Sequence, residues 1–335
     1  IVRRDMGVPH GLARRAGRGF ALYELVRYRK LEHLLPVAYV GFTFLYHASM
    51  FVKFMRYFLP IYPFLIMYAA YGIVRLWEYA TRSVDASQDI ETETTSVEQD
   101  RSVRRFRVSS ALALLVAAFV VAGTLSYALA FSSIYGRTNS RIEASRWMYT
   151  NLPQGSVLAN EHWDDWLPIG GLDGYTSYGD TGMFRSVEMR NYEDDSPDKL
   201  NWMVENLTQA NYIVLSSNRL YDSIPRLPMR YPLTSRYYQL LFSGELGFER
   251  IKEFTSYPTV FGIQVPDQSA EESFSVYDHP RVQIFQKTAA FNPEDVRRKL
   301  REGIVWEDVV HLTPRQASST PKMLELSVEE HDIYE

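Results

Sequence analysis

Cysteine is absent from the 335 residues, which excludes disulfides and thiolate-bound metal. Three familiar catalytic signatures are missing as well: a phosphate-cradling glycine loop, a serine nucleophile elbow and a His-Glu-x-x-His zinc helix. No segment carries the basic charge or the motifs of a nucleic-acid-binding domain, so that partner class is excluded. Charge of either sign is missing from three long stretches. Leu34 to Val52 (19 residues), Tyr57 to Val74 (18) and Val108 to Gly136 (29) contain no Asp, Glu, Lys or Arg.

Each of these runs reaches the roughly 18 to 20 residues a helix needs to cross a ~30 Å hydrocarbon core. Three membrane spans are therefore predicted. Basic residues cluster before Leu34, at Arg3, Arg4, Arg14, Arg15, Arg18, Arg27, Arg29 and Lys30, and again between the second and third runs at Arg75, Arg82, Arg101, Arg104, Arg105 and Arg107. The positive-inside rule places both groups in the cytoplasm, which leaves the chain beyond Gly136 outside. Residues 1–131 carry 16 basic and 10 acidic side chains (+6) and residues 132–335 carry 20 and 30 (−10), which sum to the net charge of −4.

The predicted organisation is a cytoplasmic basic loop (1–33, with a short amphipathic helix near 21–32), two transmembrane helices (34–77) and a polar, disordered cytoplasmic linker (78–107). A third transmembrane helix with an extension (108–136), an extracytoplasmic α/β domain (137–312) and a loose tail (313–335) follow. The chain begins without an initiator Met or a signal peptide and is expected to be the C-terminal part of a longer protein. The fold class is thus an α-helical transmembrane bundle followed by an α/β domain, and the location an integral plasma-membrane protein.

In the α/β domain, helices are predicted from Ser140, as its cap, to Tyr149, from Ser196-Pro197-Asp198 through Leu207, from Thr234 to Phe242, and from Pro293 to Glu302. Strands are predicted at Ser156–Ala159, Tyr212–Leu215, Phe248–Phe254, Val260–Val265 and Arg281–Gln286.

Three constellations are candidate chemistry. Lys53 and Arg56 fall in the break between the first two apolar runs, with Tyr57 opening the second; a guanidinium there presents a planar fork of donors to a lipid-linked phosphate, or merely snorkels to the headgroups. Glu161, His162, Trp163, Asp164 and Asp165 directly follow a strand. Carboxylates, imidazole and indole together suit a carbohydrate or metal site, or a loop cap whose carboxylates bind backbone amides. The segment Arg219 to Tyr238, rich in Arg, Tyr and Pro, suits glycan or peptide stacking, or a long loop at the membrane face.

Residues 51 to 63, Phe-Val-Lys-Phe-Met-Arg-Tyr-Phe-Leu-Pro-Ile-Tyr-Pro, resemble the Arg-Tyr-x-x-Pro region of polytopic GT-C class glycosyltransferases. Within that class they resemble the protein O-mannosyltransferase and aminoarabinose-transferase type. Ala159 to Asp165, Phe254 to Pro258 and Phe274 to Val282 resemble the outer domain of a bacterial and archaeal membrane family of the same group. The resemblance implies a polyprenyl-phosphate-linked sugar as donor, its phosphate held by Arg56 with Lys53 and Tyr57, and a glycan or protein acceptor beside Glu161, His162, Trp163, Asp164 and Asp165. It further implies that the catalytic acidic residues belong to a first outer loop upstream of this stretch. Cofactors, a divalent metal included, stay unassigned.

Overall fold

The computed structural model describes residues 31–50, 55–88, 96–270 and 272–310. The amphipathic helix expected before residue 31, Lys53, the acidic stretch 89–95 and the tail from residue 311 lie outside these. The described chain forms two compact units, one running to Ser132 and including Thr259–Gln264, the other taking Ser133–Pro258 and Val265 onward.

The first unit is helical. Helix α1 covers Leu34–Ser49, a 3-10 turn covers Met55–Ile61, and α2 (Tyr62–Gln88) and α3 (Ser96–Ser132) pack on one another. Two stretches, Met55–Arg75 and one within Leu114–Asn151, are long and apolar enough to cross a membrane. The expected first span falls short of that. Helix α1 stops after 16 residues and Met50 is already extended, so it reaches about 24 Å rather than ~30 Å. The expected linker also differs, because α2 runs on to Gln88 and α3 starts at Ser96. That composition is polar but free of Gly and Pro, so nothing in it breaks a helix. Pro63 lies in the first turn of α2, where a missing amide hydrogen costs little, whereas Pro60 falls inside the 3-10 turn. Val40, Phe58, Ile61 and Leu65 form a small core, while Leu115, Phe119 and Leu125 on α3 face outward.

The second unit is a three-layer α/β/α domain. Its helices are α4 (Ser140–Asn151), α5 (Pro197–Gln209), α6 (Pro232–Ser243), the single turn α7 (Glu272–Ser275) and α8 (Pro293–Arg301). Its strands are β1 (Val157–Glu161), β2 (Arg185–Met189), β3 (Tyr212–Leu215), β4 (Phe248–Phe254) and β7 (Val282–Lys287); β5 (Thr259–Val260) and β6 (Ile263–Gln264) form a separate hairpin in the first unit. The sheet order is β2-β1-β3-β7-β4. Strands β2, β1 and β3 run parallel, and β7 is antiparallel to both β3 and β4.

Strand period explains the layers. Leu158, Tyr212, Val214 and Ile284 turn to one face and pack with Ala144 and Met148 of α4. Ala159, Ile213, Leu215 and Phe285 turn to the other and pack with Met203 and Leu207 of α5, Leu241 of α6 and Leu300 of α8. Strands covered on both faces read as continuous apolar runs, as Tyr212–Leu215 does. The expected single strand at Val260–Val265 is instead the β5–β6 hairpin, turned at Phe261-Gly262. The cap of α4 is Asn139, whose side chain accepts the Arg141 amide, rather than Ser140. Strand β2 was not predicted; at the sheet edge only Met189 is buried, so no hydrophobic alternation marks it.

Candidate functional site

The chain leaves β1 for β2 on one side and comes back on the other side as β3. The carboxyl ends of β1 and β3 therefore flank the point where strand order reverses, which is where open α/β sheets bind ligands. Glu161 is the last residue of β1, and His162 to Trp166 start the loop that follows. Ser216, Ser217, Asn218 and Arg219 leave β3 opposite them. The two loops are tied together: Ser217 Oγ donates to Asp164 Oδ2 (2.5 Å) and Arg219 Nη1 donates to the Trp163 carbonyl (2.8 Å).

The five residues expected at this site, the last of β1 and the first four of its loop, divide by environment. Glu161 is buried; its Oε1 accepts from Tyr238 Oη on α6 (2.5 Å) and from Asn191 Nδ2 (3.0 Å). Its Oε2 has no hydrogen-bond partner among the described residues. Burial pushes this carboxyl up to about 8, with the nearby Asp164 charge adding to the rise and the Tyr238 and Asn191 bonds opposing it. Glu161 is thus largely neutral at neutral pH. Burial likewise raises the Tyr238 phenol well above its ordinary range. Asp164 is equally interior, its side chain 1% exposed, held by Ser217 and by Arg141 Nη2 of α4 (3.4 Å). Of the two, only Asp164 accepts a backbone amide, that of Asp165 (2.9 Å), as the loop-cap alternative expects; Glu161 bonds side chains alone.

The remaining three face outward. Asp165 pairs with Arg141 Nη1 (3.1 Å) but is 67% exposed. His162 bonds Glu188 of β2 through Nδ1 (2.6 Å), and that bond is the chief cause holding the Glu188 carboxyl below its usual range. Trp163 is 67% exposed at φ 70°, a left-handed conformation that a bulky side chain adopts only at a cost of about 1–3 kcal/mol. Arg219 holds it there through the Trp163 carbonyl, and its guanidinium lies 5.5 Å over the exposed ring of Tyr277. Trp163, Arg219 and Tyr277, far apart in sequence, thereby form one rim of two accessible rings and a cation.

Arg219 was expected within an aromatic-basic loop, but three of that segment's tyrosines point inward. Tyr231, Tyr237 and Tyr238 are core residues, so their rings offer no surface to a ligand. Tyr277 was missed as a site residue, because no spacing links it to Trp163; only the fold does.

In the first unit, Arg56 and Tyr57 are exposed on the 3-10 turn at the head of the Met55–Arg75 stretch. The guanidinium sits 5.6 Å from the centroid of the Tyr57 ring, and His47 of α1 stacks on the same ring at 5.5 Å. Among the described residues no three His, Asp or Glu side chains converge to hold a metal ion.

No family model, curated protein or solved structure matches the chain. What these residues can do follows from their geometry alone: an exposed guanidinium beside an aromatic ring suits an anion, and the Trp163–Arg219–Tyr277 rim suits stacking against a sugar ring with hydrogen bonds from its edge.

Proposed function

We propose that this chain is the C-terminal part of an integral-membrane glycosyltransferase of the GT-C type, moving a sugar from a polyprenyl-phosphate carrier to a glycan or protein acceptor at the outer face of the plasma membrane. The observation that carries the reading is Arg56, exposed at the head of a 21-residue apolar helical stretch and set against Tyr57. A cation at that position is placed for a lipid-linked phosphate, with Lys53 three residues away in sequence as its support. The acceptor side is the loop of Glu161, His162, Trp163, Asp164 and Asp165. There Glu161 and Asp164 fix the loop, and Trp163 with Arg219 and Tyr277 meets the acceptor.

The test is sugar transfer from polyprenyl-phosphate donors by the full-length gene product in membranes. A charge-assisted contact to phosphate contributes about 1.5–3 kcal/mol, so Arg56→Ala is expected to lower kcat/KM by roughly 10- to 100-fold at normal expression and insertion. Unchanged turnover reduces Arg56 to a headgroup anchor. A second reading, a membrane-anchored glycan- or protein-binding module without catalysis, is favoured by the burial of Glu161 and Asp164, which leaves binding groups rather than reactive ones at the surface. Oligosaccharide binding abolished by Trp163→Ala, with no transfer from any donor, selects that reading.

A further inference from the structure

The β5–β6 hairpin has no part in the proposed chemistry, yet among the described residues its Phe261 is the most exposed large apolar side chain. Thr259 pairs with Gln264 and Val260 with Ile263, leaving Phe261-Gly262 as a two-residue turn. Both turn residues have positive φ, 51° and 79°, the geometry of a type I′ turn that ordinarily takes Asn or Asp followed by Gly. Gly262 fits the rule and Phe261 breaks it. A phenylalanine held left-handed is costly, and its ring returns nothing inside the protein, since Phe261 is 91% and Ile263 67% exposed. No residue from Thr259 to Gln264 is charged.

What covers the tip follows from what the hairpin packs on. It leaves the α/β domain to join the first unit, and β5 lies against α3, the helix bearing outward Leu115, Phe119 and Leu125. Its place along α3 is near the C-terminal end, because Arg137 Nη2 donates to the Tyr257 carbonyl just before β5. The uncharged tip thus continues the apolar surface of a membrane-length helix at that helix's end.

We propose that the Phe261-Gly262-Ile263 tip inserts into the boundary between headgroups and acyl chains of a lipid bilayer. This rests on the membrane part of the reading above and not on the glycosyltransferase chemistry. Apolar side chains on a small uncharged element bind that boundary by the area they bury, and Tyr257 immediately before the hairpin is of the type that gathers at membrane interfaces.

The absence of cysteine makes the test direct. Phe261→Cys, Ile263→Cys, Phe119→Cys on α3 and Asp180→Cys on the α/β domain are each labelled with a nitrobenzoxadiazole dye. The full chain is then reconstituted in phosphatidylcholine–phosphatidylglycerol vesicles with and without spin-labelled phosphatidylcholine. The labels at 261, 263 and 119 are expected to lose about twofold or more of their emission to the spin-labelled lipid and to resist aqueous iodide, while 180 shows the reverse. If 119 is quenched by lipid but 261 and 263 by iodide, the hairpin proposal is overturned and the membrane reading stands. Shielding of 261 and 263 from both quenchers overturns it too, and assigns the tip to a protein partner such as a second copy. Iodide quenching at 119 overturns the membrane reading and the hairpin with it.

Discussion

Glu161 brings its carboxyl into the interior with one oxygen bonded and the other without a partner among the described residues, and this dictates how stability varies with pH. The group ionises near 4.5 when exposed and near 8 in the fold. Between those values the folded state holds a proton that the unfolded state has lost. Its stabilising contribution is therefore complete below the unfolded value, falls as pH rises, and levels off above about 8. Glu161→Gln removes the titration, so thermal midpoints of wild type and variant in detergent should diverge from about pH 5 to pH 8, on the order of 1 kcal/mol per pH unit in favour of the variant. Parallel curves would show that the carboxyl ionises normally. The same residue marks the limit of sequence reading. Adjacency in Glu161–Asp165 was legible as a cluster, but strand period sends neighbours to different sides, and which ones end up interior depends on Tyr238 and Arg141 from remote helices.

Among elements, α5 and α6 are joined by a buried ion pair. Lys199 Nζ of α5 donates to Asp195 Oδ1 (2.8 Å), to Thr234 Oγ1 of α6 (2.8 Å) and to the carbonyls of Asn191 and Glu193. Asp195 Oδ2 in turn accepts the amides of Leu233 and Thr234 in the first turn of α6, where a carboxylate is also favoured by the helix dipole. Lys199→Met strands the Asp195 charge in the interior and should cost about 3–5 kcal/mol, read by chemical denaturation. Adding Asp195→Asn should recover part of that, because a neutral amide oxygen can still accept from Leu233; no recovery would mean that Lys199 acts through packing alone. Elements with strong local signals were legible. Ser196 and Pro197 opened α5 as expected, and β3 was found at its observed bounds, since a fully covered strand is apolar throughout. Edge strand β2 and the hairpin were not legible, since one lacks a buried face and the other turns on a residue that sequence rules do not put in a turn.

At the scale of the whole molecule, the apolar helices and the negative balance of residues 132–335 make topology the property to measure. With the α/β domain outside the cell, a single cysteine at the exposed Asp180 should react with a membrane-impermeant maleimide in intact cells as completely as after lysis. Labelling only after lysis would invert the proposed orientation and remove the outer-face reaction. The sheet order has a consequence for how such a chain is made. Strand β7 sits between β3 and β4, yet it is translated after both, roughly 70 residues behind β3. At ribosomal rates of about 5–20 residues per second, the inner edge of β3 stays unpaired for about 3 to 15 seconds, and β4 has no neighbour in the sheet until β7 arrives. Assembly of the sheet thus waits on synthesis: a ribosome that stops before Val282 releases a chain in which β3 and β4 both lack the strand that joins them, and their open edges are templates for pairing with another chain.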